Sequence, residues 1–141
     1  QVGYCAPDDP RMLATVAEME RTLMPDGLLL RYRTESGVDG LAGDEHPFLA
    51  CSFWLVQQYA ASGRGEDAAR LMDRLCGLAN DVGLLAEEYD VGGRRHAGNT
   101  PQALSHLALV GAADALAGHY GRAAASALKH PSSVTSPIVR P

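Results

Sequence analysis

Aromatic residues make up only 6% of the sequence, and runs of β-branched residues are almost absent. Both residue types favour β-strands, so their scarcity argues against an extensive sheet. Ala and Leu, which favour helices, instead recur throughout the apolar residues. With 141 residues and 46% hydrophobic residues, the chain can bury one modest core. The composition therefore predicts an all-helical fold, made of one domain or part of one.

The sequence also lacks long hydrophobic runs and clusters of basic residues. No apolar run approaches the roughly 20 residues that cross a bilayer, and the start, QVGYCAPDDP, has neither a charged leader nor an apolar signal core. The net charge is -5, and Lys129 is the single lysine. These features argue against a membrane or nucleic-acid partner. The cytoplasm is the expected location, because free thiols suit a reducing compartment. Because the chain begins with Gln rather than Met, we expect an upstream segment to be missing.

Cysteine is scarce, at three residues, and follows no Cys-x-x-Cys or Cys/His spacing. An odd number without such spacing argues against both a disulfide framework and a zinc site. Cys51 and Cys76 lie in apolar stretches, so we expect them to serve packing. The sequence shows no complete metal or cofactor site, and none is predicted.

Two segments are apolar on nearly every face, residues 47–61 and 101–117, and both are predicted to be buried helices. Pro101 suits the first helical position, with Asn99 or Thr100 as the N-cap. Between them, residues 66–78 carry one apolar stripe and should form an outer helix. An inner, an outer and another inner helix in succession are typical of a double-layered ring of helices.

A further helix is predicted before this group. Asp9 is its expected N-cap, Pro10 occupies the first helical position, and the helix should end by Met24. The glycine-rich residues 37–43 should form a loop that could line a pocket. After residue 120, prolines and serines leave little to bury, which predicts a disordered tail.

The clearest candidate for a catalytic segment is GLLAEEYD, residues 83–90. Its apolar residues come directly before Glu87 and Glu88, which are predicted to lie in a glycine-rich loop. Loops held by rigid helices often carry catalytic carboxylates. An ionised carboxylate there could act as a general base on water. The alternative is that the two residues are a solvated surface pair, which is the common arrangement of adjacent glutamates.

The run GLLAEEYDVGGRRHAGNTPQALSHLALVGAA, residues 83–113, resembles the closing region of glycoside hydrolase family 15. That family includes glucoamylases, glucodextranases and bacterial trehalases. The segments DGLLLRYRTESGVDGLAGDEHPFLACSFWLVQQYAASGR and DPRMLATVAEMERTL resemble its preceding hairpins, in the same order. The resemblance implies a barrel of six helical hairpins, of which residues 1–120 would form the C-terminal part and residues 121–141 a tail.

The same resemblance implies hydrolysis of α-linked glucosides with inversion, which needs one carboxylic acid and one carboxylate base. The family base is the first residue of a Glu-Gln/Glu-Tyr-Asp run, which falls on Glu87. The family acid belongs to a Trp-Glu motif several hairpins upstream. The single tryptophan, Trp54, is followed by Leu55, so this chain lacks the acid and should be inactive by itself.

Three further residues are implied as neighbours of the sugar. Arg31 matches an Arg-Tyr pair near the terminal glucose, although a structural ion pair explains it equally well. Glu45 falls in a family Gly-Gly-Glu-Gly pattern that reads Gly-Asp-Glu-His in this chain, which leaves its role open. Glu88 could face the pocket, but a solvated companion of Glu87 is the favoured interpretation. Relatives also often carry Phe where this chain has Thr100.

His96, His106 and Trp54 are interpreted first as structural residues, because core histidines and helical tryptophans more often serve packing than chemistry. A different class of function also remains open. The chain could be a stand-alone sugar-binding or protein-interaction module. In either case its inner helices need a cover, either the remaining hairpins, in the same or a complementary chain, or a homo-oligomer.

Overall fold

A computed structural model describes residues 3–34 and 45–118, and these are mostly helical, as predicted. The loop expected at residues 37–43 and the tail expected after residue 120 lie outside the described residues. No helix in the described part is long and apolar enough to cross a membrane. The elements are α1 (Pro10–Leu23), α2 (Leu49–Ala61), α3 (Gly65–Cys76), β1 (Glu88–Asp90), β2 (Arg95–Ala97) and α4 (Ala103–Leu116).

Helix α1 begins and ends where the sequence predicts. The Asp9 side chain accepts a hydrogen bond from the Arg11 backbone N–H at 2.9 Å, so it satisfies one of the free donors of the first turn. Pro10 occupies the first helical position, and Met24 is the C-cap. The helix is tied to the rest of the fold by Glu20, which accepts from the Tyr59 hydroxyl of α2 and forms an ion pair with Arg64.

Helix α2 lies at the centre of the fold and packs against both α3 and α4. Its all-round burial confirms the prediction for residues 47–61, with Phe53 fully buried. The buried Ser52 hydroxyl accepts a hydrogen bond from the Leu29 backbone N–H at 2.8 Å, so the segment before α2 is joined to the helix. Trp54 packs on the core, in agreement with a structural role.

Helix α3 is amphipathic, as predicted, and buries Ala68, Leu71 and Leu75. It ends at Cys76, followed by Gly77 as the C-cap. The expected packing role of Cys76 is wrong, because its side chain lies off the apolar stripe and is exposed. Cys51 is partly buried, and this burial raises the pKa of its thiol.

Helix α4 begins at Ala103 with Gln102 as the N-cap, so the predicted cap at Asn99 or Thr100 is wrong. Asn99 cannot serve the helix because its backbone and side chain bond Glu87 instead. Residues 101–117 were predicted to be buried on nearly every face. Only one face is buried, the one that carries Ser105, Ala108 and Ala112.

The other face of α4 exposes three large apolar side chains. Leu107 is 69% exposed, Val110 is 56% exposed and Leu104 is 41% exposed. Fully burying a side chain of this kind contributes about 1.5–3 kcal/mol. We refer to Leu104, Leu107 and Val110 as the apolar stripe of α4.

The strands β1 and β2 form an antiparallel hairpin. The sequence analysis missed it, since it placed Glu87 and Glu88 in a glycine-rich loop. Glu88 pairs with Ala97 and Asp90 with Arg95. The carboxylate of Asp90 accepts from the Gly93 N–H at 2.8 Å and from Arg95 Nε at 3.0 Å. Asp90 therefore shapes the turn between β1 and β2.

Candidate functional site

The residues around Glu87 are fixed at the N-terminal end of α2. The first helical N–H of α2, from Leu49, donates to the Glu87 carbonyl at 2.9 Å. Phe48 forms a bridge with Glu88, and the Tyr89 N–H donates to the Pro47 carbonyl at 3.1 Å. The first N–H groups of a helix have no partner within the helix, so this segment both satisfies the helix and is held by it.

The preceding residues are fixed at the N-terminal end of α4. The Gln102 N–H donates to the Leu85 carbonyl at 2.9 Å, and the buried Ser105 hydroxyl donates to the Ala86 carbonyl at 2.8 Å. Leu85 and Ala86 are themselves buried. The backbone that leads into Glu87 is thus held between two helices, which is the rigid support that a catalytic side chain requires.

The carboxylate of Glu87 is partly buried and is bound on one side. Its Oε2 accepts from the Asn99 backbone N–H at 3.1 Å and from Asn99 Nδ2 at 2.8 Å. Both donors reach the same oxygen. Within the described residues, no donor reaches Oε1. An ionised carboxylate with one fixed and one open oxygen can accept a proton from water at the open oxygen.

Gly98 packs directly against this carboxylate. Its φ of +69° lies in the left-handed region, which residues with a Cβ adopt only at a cost. A Cβ at this position would lie 3.0 Å from both Cβ and Oε2 of Glu87. Glycine is therefore required here by the backbone conformation and also by the closeness of Glu87.

Arg31 and Glu45 form an ion pair beside the hairpin. Arg31 Nη2 lies 2.8 Å from Glu45 Oε1, and the guanidinium carbon lies 4.9 Å and 5.1 Å from the ring centres of Tyr32 and Phe48. The Glu45 side chain is only 12% exposed, whereas that of Arg31 is 43% exposed. The ion pair predicted as one explanation of Arg31 is therefore present. Part of the Arg31 guanidinium is also exposed to solvent.

Glu88 lies within electrostatic reach of the other three candidates. Its partial burial raises the pKa of the carboxyl group, and the negative charge of Glu45 raises it further. The positive charge of Arg31 lowers this pKa, and the negative charge of Glu87 raises it. The structure thus brings Glu87, Glu88, Arg31 and Glu45 into one cluster, in which the two adjacent glutamates have different surroundings.

The raised pKa of Glu88 predicts a pH-dependent effect of Glu88→Gln on stability. The folded state binds the proton of Glu88 more tightly than the unfolded state does. Protonation of Glu88 therefore stabilises the fold fully below the pKa of an unfolded Glu, about 4.3. This stabilisation is lost as the pH rises through the pKa of Glu88 in the folded state. Glutamine does not titrate. Urea denaturation should therefore show the free energy of unfolding of Glu88→Gln increasing relative to the original chain as the pH rises from about 4 to about 7.

Glu66→Gln is the charge-matched control for this measurement, because the Glu66 side chain is 96% exposed. A difference between Glu88→Gln and the original chain that does not change with pH, or that changes in the same way as for Glu66→Gln, would contradict the assigned surroundings of Glu88.

The two histidines near the site make structural hydrogen bonds, as expected. His106 Nε2 accepts from the Leu85 N–H at 3.1 Å, and His96 Nε2 lies 2.7 Å from the Leu78 carbonyl. The described residues contain no group of three or more His, Cys, Asp or Glu side chains placed to hold a metal ion.

Sequence reasoning missed Gly98 and Asn99 as neighbours of Glu87. Asn99 was interpreted as a candidate helix cap, and no role was predicted for Gly98. The contact depends on the β1–β2 pairing, which brings Gly98 and Asn99 close to Glu87, eleven and twelve positions earlier in the chain. The one available signal was a Gly-Asn pair that ends a glycine-rich segment.

Comparison with known proteins identifies the family. The sequence model described as Glycosyl hydrolases family 15 matches residues 1–114. The trehalase of Mycolicibacterium smegmatis is 49% identical over 105 residues, which cover 74% of this chain and 16% of that protein. The trehalase of Mycobacterium tuberculosis is 46% identical over 109 residues, 77% of this chain and 16% of that protein.

An archaeal relative shows the same partial coverage. The trehalase of Thermoplasma volcanium is 37% identical over 110 residues, 77% of this chain and 17% of that protein. The chain therefore spans less than a fifth of the length of these relatives. No solved structure matches it.

Proposed function

Because this chain belongs to glycosyl hydrolases family 15, we propose that it is the C-terminal part of an enzyme that hydrolyses α-linked glucosides, and that Glu87 is the catalytic base. The observation that carries the proposal is the state of the Glu87 carboxylate. Its backbone is held by two helices, one oxygen is bound by Asn99, and no donor from the described residues reaches the other.

The proposed reaction proceeds with inversion at the anomeric carbon. A carboxylic acid from another part of the barrel protonates the glycosidic oxygen, and the bond from this oxygen to the anomeric carbon breaks. Glu87 Oε1 takes a proton from a water molecule, whose oxygen forms the new bond on the opposite face of the sugar. This arrangement needs the two carboxyl groups roughly 6.5–9.5 Å apart, which leaves room for the water.

Arg31, Glu45 and Glu88 are proposed to contact the sugar or to hold the residues that do. The outward-facing part of the Arg31 guanidinium can donate to sugar hydroxyl groups, while Glu45 and the two aromatic rings fix its position. The relatives are named trehalases, which makes trehalose the proposed substrate.

The apolar stripe of α4 supports the proposal that this chain is one part of a larger barrel. Three neighbouring large side chains that are 41–69% exposed are costly to leave in water. The remaining helical hairpins, in the same or in a complementary chain, are the proposed cover. A homo-oligomer that buries the same stripe is the alternative, and it would suit a stand-alone binding or interaction module.

Activity measurements distinguish these functions. We expect a protein that carries the complete barrel, with this chain as its last part, to hydrolyse trehalose in preference to maltose and isomaltose. The 141-residue chain alone should show no turnover of any of them, because a base without an acid cannot protonate the leaving oxygen. Turnover by the chain alone would overturn the assignment of the missing acid. Failure of the complete protein to hydrolyse any of the three would favour the binding module.

A further inference from the structure

We propose that Asn99 is a positioning residue that orients the carboxylate of Glu87, so that Oε1 rather than Oε2 receives the proton from water. The proposal rests on the proposed function of Glu87 and adds a second residue to it. Asn99 does not contact the substrate in this account. It acts through Glu87.

Three hydrogen bonds join the two residues. The Glu87 backbone N–H donates to the Asn99 carbonyl at 2.9 Å. The Asn99 backbone N–H and side-chain Nδ2 then donate to Glu87 Oε2, at 3.1 Å and 2.8 Å. The backbone bond sets the distance between the two residues, and the other two bonds set the direction of the carboxylate.

Such an orientation matters because the last torsion angle of a glutamate side chain is broad and nearly two-fold. Without a hydrogen-bond partner, the carboxylate would rotate about this torsion angle, so that its two oxygens would exchange positions. Two donors on one oxygen remove this freedom, and hydrogen bonds to a charged acceptor are the strong ones. The open oxygen is then presented in one direction, and a base that is already aligned avoids the cost of aligning it during the reaction.

Asn99 is itself held from both sides. Two residues before it, Ala97 pairs with Glu88 in the hairpin. Three residues after it, Gln102 donates to the Leu85 carbonyl at the start of α4. The segment 97–102 is thus pinned at both ends to the segment 85–88, so Asn99 is a rigid support for Glu87.

Asn80 provides a matched comparison on the same chain. Its Oδ1 accepts from the backbone N–H groups of Val82 and Leu84, at 3.1 Å and 2.8 Å, so it stabilises a turn. Both asparagines are exposed and both bond backbone groups. They differ in that only Asn99 also donates to the carboxylate of Glu87.

The test compares Asn99→Ala, Asn99→Asp and Asn80→Ala in the protein that carries the complete barrel, with trehalose as substrate. Asn99→Ala should lower kcat about 10- to 100-fold with little change in KM, because it removes a hydrogen bond to a charged group that matters in the transition state. Asn99→Asp keeps the shape and loses the donor, so it should lower kcat at least as much. Asn80→Ala should leave kcat unchanged.

A second readout does not depend on activity. The side-chain amide signals of Asn99 in the nitrogen–proton NMR spectrum should shift more in Glu87→Gln than in Glu88→Gln, because only Glu87 accepts a hydrogen bond from Asn99 Nδ2. This measurement keeps the inference testable if Asn99→Ala fails to fold.

The outcomes separate the two proposals. An inactive wild type, or an active Glu87→Gln variant, would overturn the proposed function of Glu87. An active wild type and an inactive Glu87→Gln variant, together with an unchanged kcat for both Asn99 variants, would overturn the role of Asn99 alone. The role of Asn99 would also be overturned by Asn99 amide signals that shift no more in Glu87→Gln than in Glu88→Gln, or by an equal loss of kcat in Asn80→Ala.

Discussion

Glu87→Gln in the protein that carries the complete barrel should lower kcat by about 10²- to 10⁴-fold, the range that a general base contributes. Glutamine keeps the shape of the side chain, and its carbonyl oxygen can still accept from Asn99, but it cannot take a proton from water. Glu88→Gln should cost much less. Glu88 is influenced by the charges of Arg31 and Glu45 in the same cluster, whereas the open oxygen proposed to meet the water belongs to Glu87.

Each variant acts as the control for the other, since both make the same chemical change at adjacent positions. Equal melting temperatures would show that folding is intact, and the comparison of kcat with KM would separate chemistry from binding. If Glu88→Gln lost the activity and Glu87→Gln kept it, the match to the family motif would be one residue out, and Glu88 would be the base.

Gly98→Ala should lower kcat, because the Glu87 carboxylate must shift by a few tenths of an ångström, and a displacement of about 1 Å in an active site can cost about 100-fold. The added methyl group would lie 3.0 Å from Oε2 of Glu87, on the side where Asn99 binds. Either the carboxylate or the loop must move. The positive φ of +69° adds a loss of stability of about 1–2 kcal/mol.

Gly63→Ala is the matched control for this variant. Gly63 also has a positive φ, +84°, but a Cβ there would meet nothing within 4 Å. Both variants should therefore lose stability, while only Gly98→Ala should lose activity. An equal loss of activity in the two would mean that backbone strain, and not the contact with Glu87, explains the effect.

The helices could be predicted because each depends on local residues. Asp9 and Pro10 define the start of α1 through one side chain and one ring, and the stripe of α3 follows from the spacing of Ala68, Leu71 and Leu75. The start of α4 was misplaced because the partner of Asn99 is Glu87, twelve residues away. Such a pairing overrides a local capping signal.

The candidate site also contains residues that the sequence could indicate and residues that it could not. Resemblance to the family selected Glu87, Arg31, Glu45 and Glu88, and the structure places the four together. It could not select Asn99 or Gly98, because their contact with Glu87 arises only when β1 and β2 pair. The exposed stripe of α4 was also hidden in the sequence, where an apolar helix looks the same whether its cover is present or belongs to another part of the barrel.

The most direct test of the central claim, that Glu87 is the base of an inverting hydrolase, uses α-glucosyl fluoride and azide. Fluoride leaves the anomeric carbon without protonation, so this substrate bypasses the general acid. Glu87→Ala in the protein that carries the complete barrel should fail to hydrolyse it, because no group activates the water.

Azide should restore turnover in Glu87→Ala, since this anion needs no base. It should occupy the space left by the side chain, form a bond to the anomeric carbon on the face opposite the leaving fluoride, and give β-glucosyl azide. That product is the result we predict. Full hydrolysis of α-glucosyl fluoride by Glu87→Ala without azide, or formation of α-glucosyl azide, would contradict the assignment of Glu87 as the base.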